Sequence, residues 1–121
     1  MELKDKTGKP VVVGLSPQYT AYQIAYADKP DKAVGMTMFL EKPATRERFF
    51  FHTQVVDAYS GRGLAGILVE QAMKDPGNAD KTIIAICPFV LEWLKAHPES
   101  PLKWRRPDPV DLKFVQQTLG A

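Results

Sequence analysis

The chain has 121 residues, of which 45% are hydrophobic and 25% are charged, the composition of an ordinary globular protein. Sixteen Lys and Arg residues against 14 Asp and Glu give a net charge of +2, too small an excess to indicate a nucleic-acid partner. The single cysteine, Cys87, excludes an intrachain disulfide framework and a zinc site built on cysteine pairs.

The length and the absence of internal repeats predict a single domain over residues 1–121. Within it we expect a loose, polar start over residues 1–10 and a proline-rich C-terminal extension over residues 100–121. No apolar segment of a secretory signal follows Met1, and no run approaches the ~18 apolar residues of a membrane span. We therefore expect a reduced, cytoplasmic protein that does not bind membranes.

The first half of the chain is typical of consecutive β-strands. β-Branched and aromatic residues concentrate in four segments, residues 11–13, 19–26, 33–40 and 48–56. Polar turns such as Asp28-Lys29-Pro30-Asp31 separate them. This pattern predicts an antiparallel meander.

The second half alternates helices with a strand. Apolar residues at helical spacing predict a helix that begins at the glycine-rich turn 60–66 and ends at Asp75-Pro76. The continuous apolar run of residues 82–86 is typical of a strand buried on both faces. Cys87-Pro88 then opens a second helix with Cys87 at its N-cap, which ends at His97-Pro98.

A short final helix is predicted over residues 110–119. The unit from residue 49 to residue 86 is a βαβ crossover, which makes its two strands parallel neighbours with a right-handed connection. A ligand is expected where strand ends meet helix starts, near residues 56–66 and near Cys87.

The glycine-rich turn literally matches the pattern G-x-G-x-x-G with Gly61, Gly63 and Gly66. Free backbone N–H groups at a helix start favour an anion such as pyrophosphate. A dinucleotide site needs an acidic residue after the next strand, where this chain has Cys87-Pro88. A Walker loop is excluded because no Gly-Lys-Ser/Thr follows. The alternative interpretation is a turn that merely lets a helix pack closely on its strand.

A combination of motifs within residues 49–99 resembles the small, minimal members of the GNAT superfamily of acetyl-CoA-dependent N-acetyltransferases. The motifs are His52-Thr53, Gly61-Arg62-Gly63-Leu64-Ala65, Cys87-Pro88-Phe89-Val90 and His97-Pro98-Glu99. On the superfamily loop Arg/Gln-x-x-Gly-x-Gly/Ala, Gly63 and Ala65 match, and Ser60 stands at the leading position. The resemblance implies an α+β, GNAT-like fold: a mixed, mostly antiparallel sheet with a splayed parallel strand pair and two main packing helices.

The resemblance also implies a site for acetyl-CoA as co-substrate, with no metal. The acyl-CoA arm would lie between the splayed strands and pair with the backbone of Val55 and Val56. The pyrophosphate would lie on the backbone amides of the loop, formed by Gly61, Arg62, Gly63, Leu64, Ala65 and Gly66.

Acetyl transfer requires a neutral amine, a polarised thioester carbonyl and a protonated leaving thiolate. Cys87 is the first candidate, because a helix N-terminus favours a reactive thiol. The resemblance implies that it lies near the acyl group as a base, an acid or a transient acyl carrier. The alternative is a buried cysteine that only fills space.

His52 is the second candidate, because imidazole is the usual general base near neutral pH. Strand alternation predicts that it shares a face with Phe50, Gln54 and Val56. The alternative is a half-buried strand histidine satisfied by a hydrogen bond. His97 is interpreted as a helix terminator and is given no catalytic role, and Phe49, Phe50 and Phe51 are interpreted as packing residues.

The one compact basic cluster consists of Lys103, Arg105 and Arg106 beside Trp104. It predicts a solvated tail segment or, alternatively, a contact to the 3′-phosphate of CoA, to an acidic protein partner or to RNA.

The sequence therefore predicts an N-acetyltransferase in which an amine attacks acetyl-CoA directly. The acceptor amine is unknown, and an exposed site would suit a protein or peptide amine. Two alternatives stay open: a non-catalytic acyl-CoA-binding protein or sensor, and a protein or nucleic-acid interaction module that uses residues 103–106. Nucleic acid is the least favoured partner.

Overall fold

A computed structural model describes residues 3–120. Their seven strands form one sheet in the order β1-β2-β3-β4-β5-β6-β7. The strands are β1 (Leu3–Lys4), β2 (Pro10–Leu15), β3 (Ala21–Tyr26), β4 (Ala33–Lys42), β5 (Glu47–Val55), β6 (Thr82–Ala85) and β7 (Lys103–Arg105). The helices are α1 (Leu64–Lys74), α2 (Pro88–Ala96) and α3 (Pro109–Gly120). No helix within residues 3–120 is long and apolar enough to cross a membrane.

The first five strands pair antiparallel, whereas β5, β6 and β7 run parallel. The predicted α+β fold with a mixed, mostly antiparallel sheet is therefore confirmed, and so is the predicted crossover from β5 through α1 to β6. The strand predicted over residues 19–26 begins later, at Ala21, because Tyr19 adopts a left-handed conformation with φ of 57°. The Ser16 hydroxyl accepts the N–H of Thr20 in this turn at 3.1 Å.

The parallel strands β5 and β6 separate at Phe50. Their register runs only from Glu47 opposite Thr82 to Phe50 opposite Ala85. The backbone N–H groups of Ile86 and Cys87 both donate to the Phe50 carbonyl, at 3.1 and 2.8 Å, and β5 then continues to Val55 paired with β4 and no longer with β6. The pair is splayed, as the resemblance implied.

Two cores lie on opposite faces of the sheet. Helices α1 and α2 cover the larger one, where Leu64, Leu68, Val90 and Leu94 pack with Phe39, Phe50 and Ile83. Helix α3 covers the smaller one, where Phe114 and Val115 pack on Phe49 and Ile84. Adjacent isoleucines of β6 enter different cores, which is why that strand is apolar on both faces. A third packing helix thus joins the two that were predicted.

The start of the chain differs from the loose segment predicted over residues 1–10. Met1 and Glu2 lie outside the described residues, but Leu3 pairs with Val11, and the turn that follows is organised by Asp5. The Asp5 carboxylate is 5% exposed and accepts the Thr7 N–H at 2.9 Å, the Thr7 hydroxyl at 2.7 Å, the Lys9 N–H at 3.0 Å and the Tyr26 hydroxyl at 2.6 Å. The polar sequence is ordered because one buried carboxylate satisfies its backbone donors.

The proline-rich extension is also ordered. Its residues 103–105 form β7, and Trp104 packs against the larger core. Arg105 donates to Glu47 at 2.8 Å and to Asp111 at 3.0 Å, which fastens α3 to the sheet. The basic cluster is therefore divided: Arg105 is half-buried and paired with Glu47 and Asp111, while Lys103 and Arg106 are exposed.

Low pH is expected to weaken the attachment of α3 to the sheet. The hydrogen bond from Arg105 lowers the pKa of Asp111, and hydrogen bonds from Thr45 and Arg105 lower the pKa of Glu47. A carboxylate with a lowered pKa stabilises the fold fully at pH values above its ordinary pKa of about 4. This stabilisation is lost as the pH falls through the lower pKa of the folded state. We expect the Tm from circular dichroism to fall between pH 7 and pH 3 by less in Asp111→Asn than in the parent. Asp31→Asn, at an exposed carboxylate, should fall as the parent does, and an equal fall in all three proteins would contradict the assignment.

Candidate functional site

The glycine-rich loop turns sharply into α1. Gly61 and Gly63 both have φ of 77°, a conformation that other L-residues rarely adopt, and Gly63 is the N-cap of the helix. The backbone N–H groups of Leu64, Ala65 and Gly66 donate to no acceptor within residues 3–120. These three donors lie at the positive end of the helix dipole, the arrangement that favours an anion.

Gly66 distinguishes an anion-binding loop from a turn that merely lets the helix pack closely on its strand. A Cβ atom at Gly66 would have no neighbour within 4 Å, and its φ is an ordinary one. Neither close helix packing nor backbone strain explains a glycine at this position. A bare backbone at an exposed helix start instead suits the close approach of a ligand.

The turn at residues 5–9, which we call the N-terminal turn, packs against the glycine-rich loop. The Lys6 N–H donates to the Arg62 carbonyl at 3.0 Å. The Arg62 guanidinium donates to the Tyr26 hydroxyl at 3.1 Å and lies 5.1 Å from the centre of the Tyr59 ring. Hydrogen bonds, chiefly from Tyr26, hold the pKa of Asp5 well below its usual range, so this carboxylate stays ionised opposite Arg62.

A groove of about 330 Å³ extends from the loop between α1 and α2. Its lining includes Gly66 and Val69 from α1 and Phe89 and Trp93 from α2. Phe89 is 53% exposed, an unusual position for a large apolar side chain that follows the N-cap. Phe89 is not among the site residues predicted from the sequence, although it belongs to the Cys87-Pro88-Phe89-Val90 motif.

Cys87 lies where β5 and β6 diverge, at the N-cap of α2. The residue is 1% exposed, and its Sγ lies 3.1 Å from Thr53 Oγ1 on β5. The Thr53 hydroxyl in turn donates to Thr37 Oγ1 on β4 at 2.8 Å. The thiol therefore ends a short buried chain of polar groups that runs from β4 through β5 to the start of α2.

His52 does not join this chain. The pairing of β4 with β5 shifts so that Met38 lies opposite His52 and Phe39 lies opposite Phe50, which leaves Phe51 as an extra, bulged residue. The bulge turns His52 to the face opposite Phe50, so the prediction that these two residues share a face is wrong. His52 is exposed, and its Nε2 lies 3.2 Å from Gln54 Oε1. His52 and Cys87 thus lie on opposite faces of the sheet.

Val55 and Val56 differ in whether their backbone N–H group is free to bind a ligand. The Val56 N–H already donates to the Val34 carbonyl at 2.8 Å, inside the sheet. Because successive residues of a strand direct their N–H groups to opposite sides, the N–H of Val55 is directed towards the gap beyond Phe50. Val55 can therefore pair with an extended ligand in the gap, whereas the Val56 N–H is committed to β4.

His97 ends α2 and stacks on Trp93, with 4.0 Å between the ring centres. Its Nδ1 lies 2.8 Å from the Trp93 carbonyl. Residues 3–120 contain no group of three or more His, Cys, Asp and Glu side chains arranged to hold a metal ion.

A family model described as GCN5-related N-acetyl-transferase matches residues 22–102, more than half of the chain. The matched segment contains the glycine-rich loop, His52 and Cys87, and it leaves out β1, β2, β7 and α3. No curated protein matches the chain.

Proposed function

Because the chain belongs to the GCN5-related N-acetyltransferase family, we propose that it is a cytoplasmic acetyl-CoA-dependent N-acetyltransferase. In this proposal the nitrogen of an amine attacks the thioester carbonyl, the C–S bond breaks, and the acetyl group passes to the amine. The amine gives up one proton and the CoA thiolate gains one, so the reaction is balanced without a further reactant.

The observation that carries the proposal is the row of free N–H groups at Leu64, Ala65 and Gly66. Three convergent donors at a helix start suit the pyrophosphate of CoA. The groove beside Phe89 and the Val55 N–H would continue the site towards the gap between β5 and β6. The residues present therefore fit an extended cofactor that carries a diphosphate, such as CoA.

Two residues would handle protons on the two sides of the sheet. Acetyl-CoA supplies an acetyl group activated as a thioester. We assign Cys87, buried at the end of the gap and hydrogen-bonded to Thr53, to the thioester side as the acid that protonates the leaving thiolate. We assign His52, which is exposed on the opposite face, to the removal of the proton from the acceptor amine.

A non-catalytic acyl-CoA-binding protein is the second candidate, favoured by the near-complete burial of Cys87. An interaction module built on residues 103–106 is less favoured, because Arg105 is already held by Glu47 and Asp111.

Two measurements separate the first two candidates. Isothermal titration with acetyl-CoA should show binding under either one. Release of free CoA, followed with a thiol reagent in the presence of peptide and small amines, is expected only of an enzyme. Absence of acetyl-CoA binding at saturating concentrations would overturn both.

A graded series at Gly66 tests the position of the cofactor. Because a side chain here meets open space, Gly66→Ala should fold as well as the parent and gain up to about 1 kcal/mol in helix stability. Gly66→Leu should also fold, but its side chain would project beside the free amides into the groove. We expect a loss of CoA affinity of at least ~10-fold in Gly66→Leu by titration calorimetry. Equal affinity in Gly66→Leu and the parent would place the cofactor elsewhere.

A further inference from the structure

The N-terminal turn lies outside the segment matched by the family model, yet it forms one wall of the glycine-rich loop. Its backbone bonds to Arg62 through Lys6, and its Asp5 carboxylate accepts the Tyr26 hydroxyl to which Arg62 also donates. This region therefore adds contacts to the loop that come from outside the matched segment.

The Lys6 side chain extends across Gly63. A Cβ atom built on Gly63 would lie 3.2 Å from both Cγ and Cε of Lys6. The hydrocarbon stem thus runs over the N-cap of α1, and the ammonium group lies one bond beyond Cε. Among residues 3–120 this ammonium forms no ion pair with a carboxylate.

The N–H groups of the loop do not by themselves neutralise a bound diphosphate, so the Lys6 ammonium could contribute to its binding. The three free N–H groups carry only partial charges, whereas the diphosphate of CoA carries about two negative charges. The Arg62 guanidinium is partly engaged by the Tyr26 hydroxyl and lies over the Tyr59 ring. Among residues 3–120 Lys6 forms no ion pair, and its stem packs on Gly63, the residue that directly precedes the three donors.

We propose that Lys6 binds a phosphate group of CoA, so that the N-terminal turn is part of the cofactor site. This inference rests on the proposed function, because it requires CoA on the loop. It assigns a binding residue from outside the family segment and predicts that the turn contributes affinity rather than chemistry.

The test is titration of CoA into the protein of residues 1–121 at low and high ionic strength. Lys6→Met keeps the unbranched stem on Gly63 and removes the charge, and Lys113→Met removes one exposed charge from α3 on the opposite face. We expect a Kd about 5–20-fold higher in Lys6→Met, with a weaker dependence on salt, and no change in Lys113→Met. Lys6→Arg should restore most of the affinity. Thermal unfolding verifies that each variant is folded.

Dephospho-CoA, which lacks the 3′-phosphate, identifies the group that is bound. A Lys6→Met defect that persists with dephospho-CoA supports a contact to the diphosphate, and a defect that disappears supports a contact to the 3′-phosphate. Equal CoA affinity in Lys6→Met and the parent, or an equal loss in Lys6→Met and Lys113→Met, would overturn the inference and leave the proposed function intact. A parent protein that does not bind CoA would overturn the proposed function, and the inference with it.

Discussion

Cys87→Ala is expected to lower kcat by about 10²–10³-fold and to leave the Kd for acetyl-CoA nearly unchanged. The cofactor would be held chiefly by backbone groups of the loop and of Val55, none of which is altered by the substitution. The thiol, in contrast, lies at the end of the gap between β5 and β6, where the thioester would lie. Steady-state turnover and titration calorimetry on the same preparation measure the two effects separately.

Stability distinguishes this role from packing alone. Removing the Sγ atom from a site that is 1% exposed costs about 1 kcal/mol, which the Tm reports. A purely structural cysteine predicts that lower Tm with unchanged turnover per folded molecule. Cys87→Ser is the matched variant, because it retains a partner for the Thr53 hydroxyl. Wild-type turnover in a folded Cys87→Ala protein would refute the assignment.

The position of His52 on the face opposite Cys87 predicts how the rate losses of the two variants combine. Two residues that act on a single proton path give losses that do not combine fully. Since His52 and Cys87 lie on opposite faces of the sheet, we expect the rate losses of His52→Ala and Cys87→Ala to combine almost multiplicatively in the double variant. A double variant no slower than Cys87→Ala would show that both residues serve one proton.

Elements with strong local patterns were predictable from the sequence. The apolar spacing that begins at Leu64 and the Cys87-Pro88 start of α2 fix those helices, because N-cap chemistry and helical periodicity are local properties. The order strand, helix, strand in residues 47–85 then required a parallel pair, since the crossover leaves no other short connection.

Features that depend on distant partners were not predictable. The bulge at Phe51 comes from the register between β4 and β5, and a shift of one residue reverses the face of every side chain beyond it. Asp5 orders a polar segment only because the Tyr26 hydroxyl reaches it from β3. Strand β7 has three residues, too few to show an alternation, and is defined by its pairing with β6.

Arg48→Leu is expected to destabilise the protein by about 3 kcal/mol, a fall in Tm of roughly 10 °C for a domain of this size. Arg48 is 6% exposed and donates to the Tyr22 hydroxyl at 3.0 Å, to Asn78 Oδ1 at 2.8 Å and to Glu41 Oε1 at 2.8 Å. Burial and a hydrogen bond to Asp75 raise the pKa of Tyr22, so its hydroxyl remains protonated and donates onward to Asp75, the C-cap of α1. Leucine fills part of the space but leaves this chain of polar groups without its cation.

Arg106→Leu provides the control, because Arg106 is exposed and a substitution there should change stability by no more than about 0.5 kcal/mol. The Arg48 network joins β3, β4 and β5 to the C-terminal end of α1, whereas the free amides of the glycine-rich loop lie at its N-terminal end. Folded Arg48→Leu, measured well below its Tm, should therefore bind CoA with the parent's affinity. Equal Tm values for Arg48→Leu and Arg106→Leu would show that the buried arginine does not stabilise the fold. A loss of CoA affinity in folded Arg48→Leu would contradict this expectation. It would mean that the Arg48 network at one end of α1 affects CoA binding at the other end.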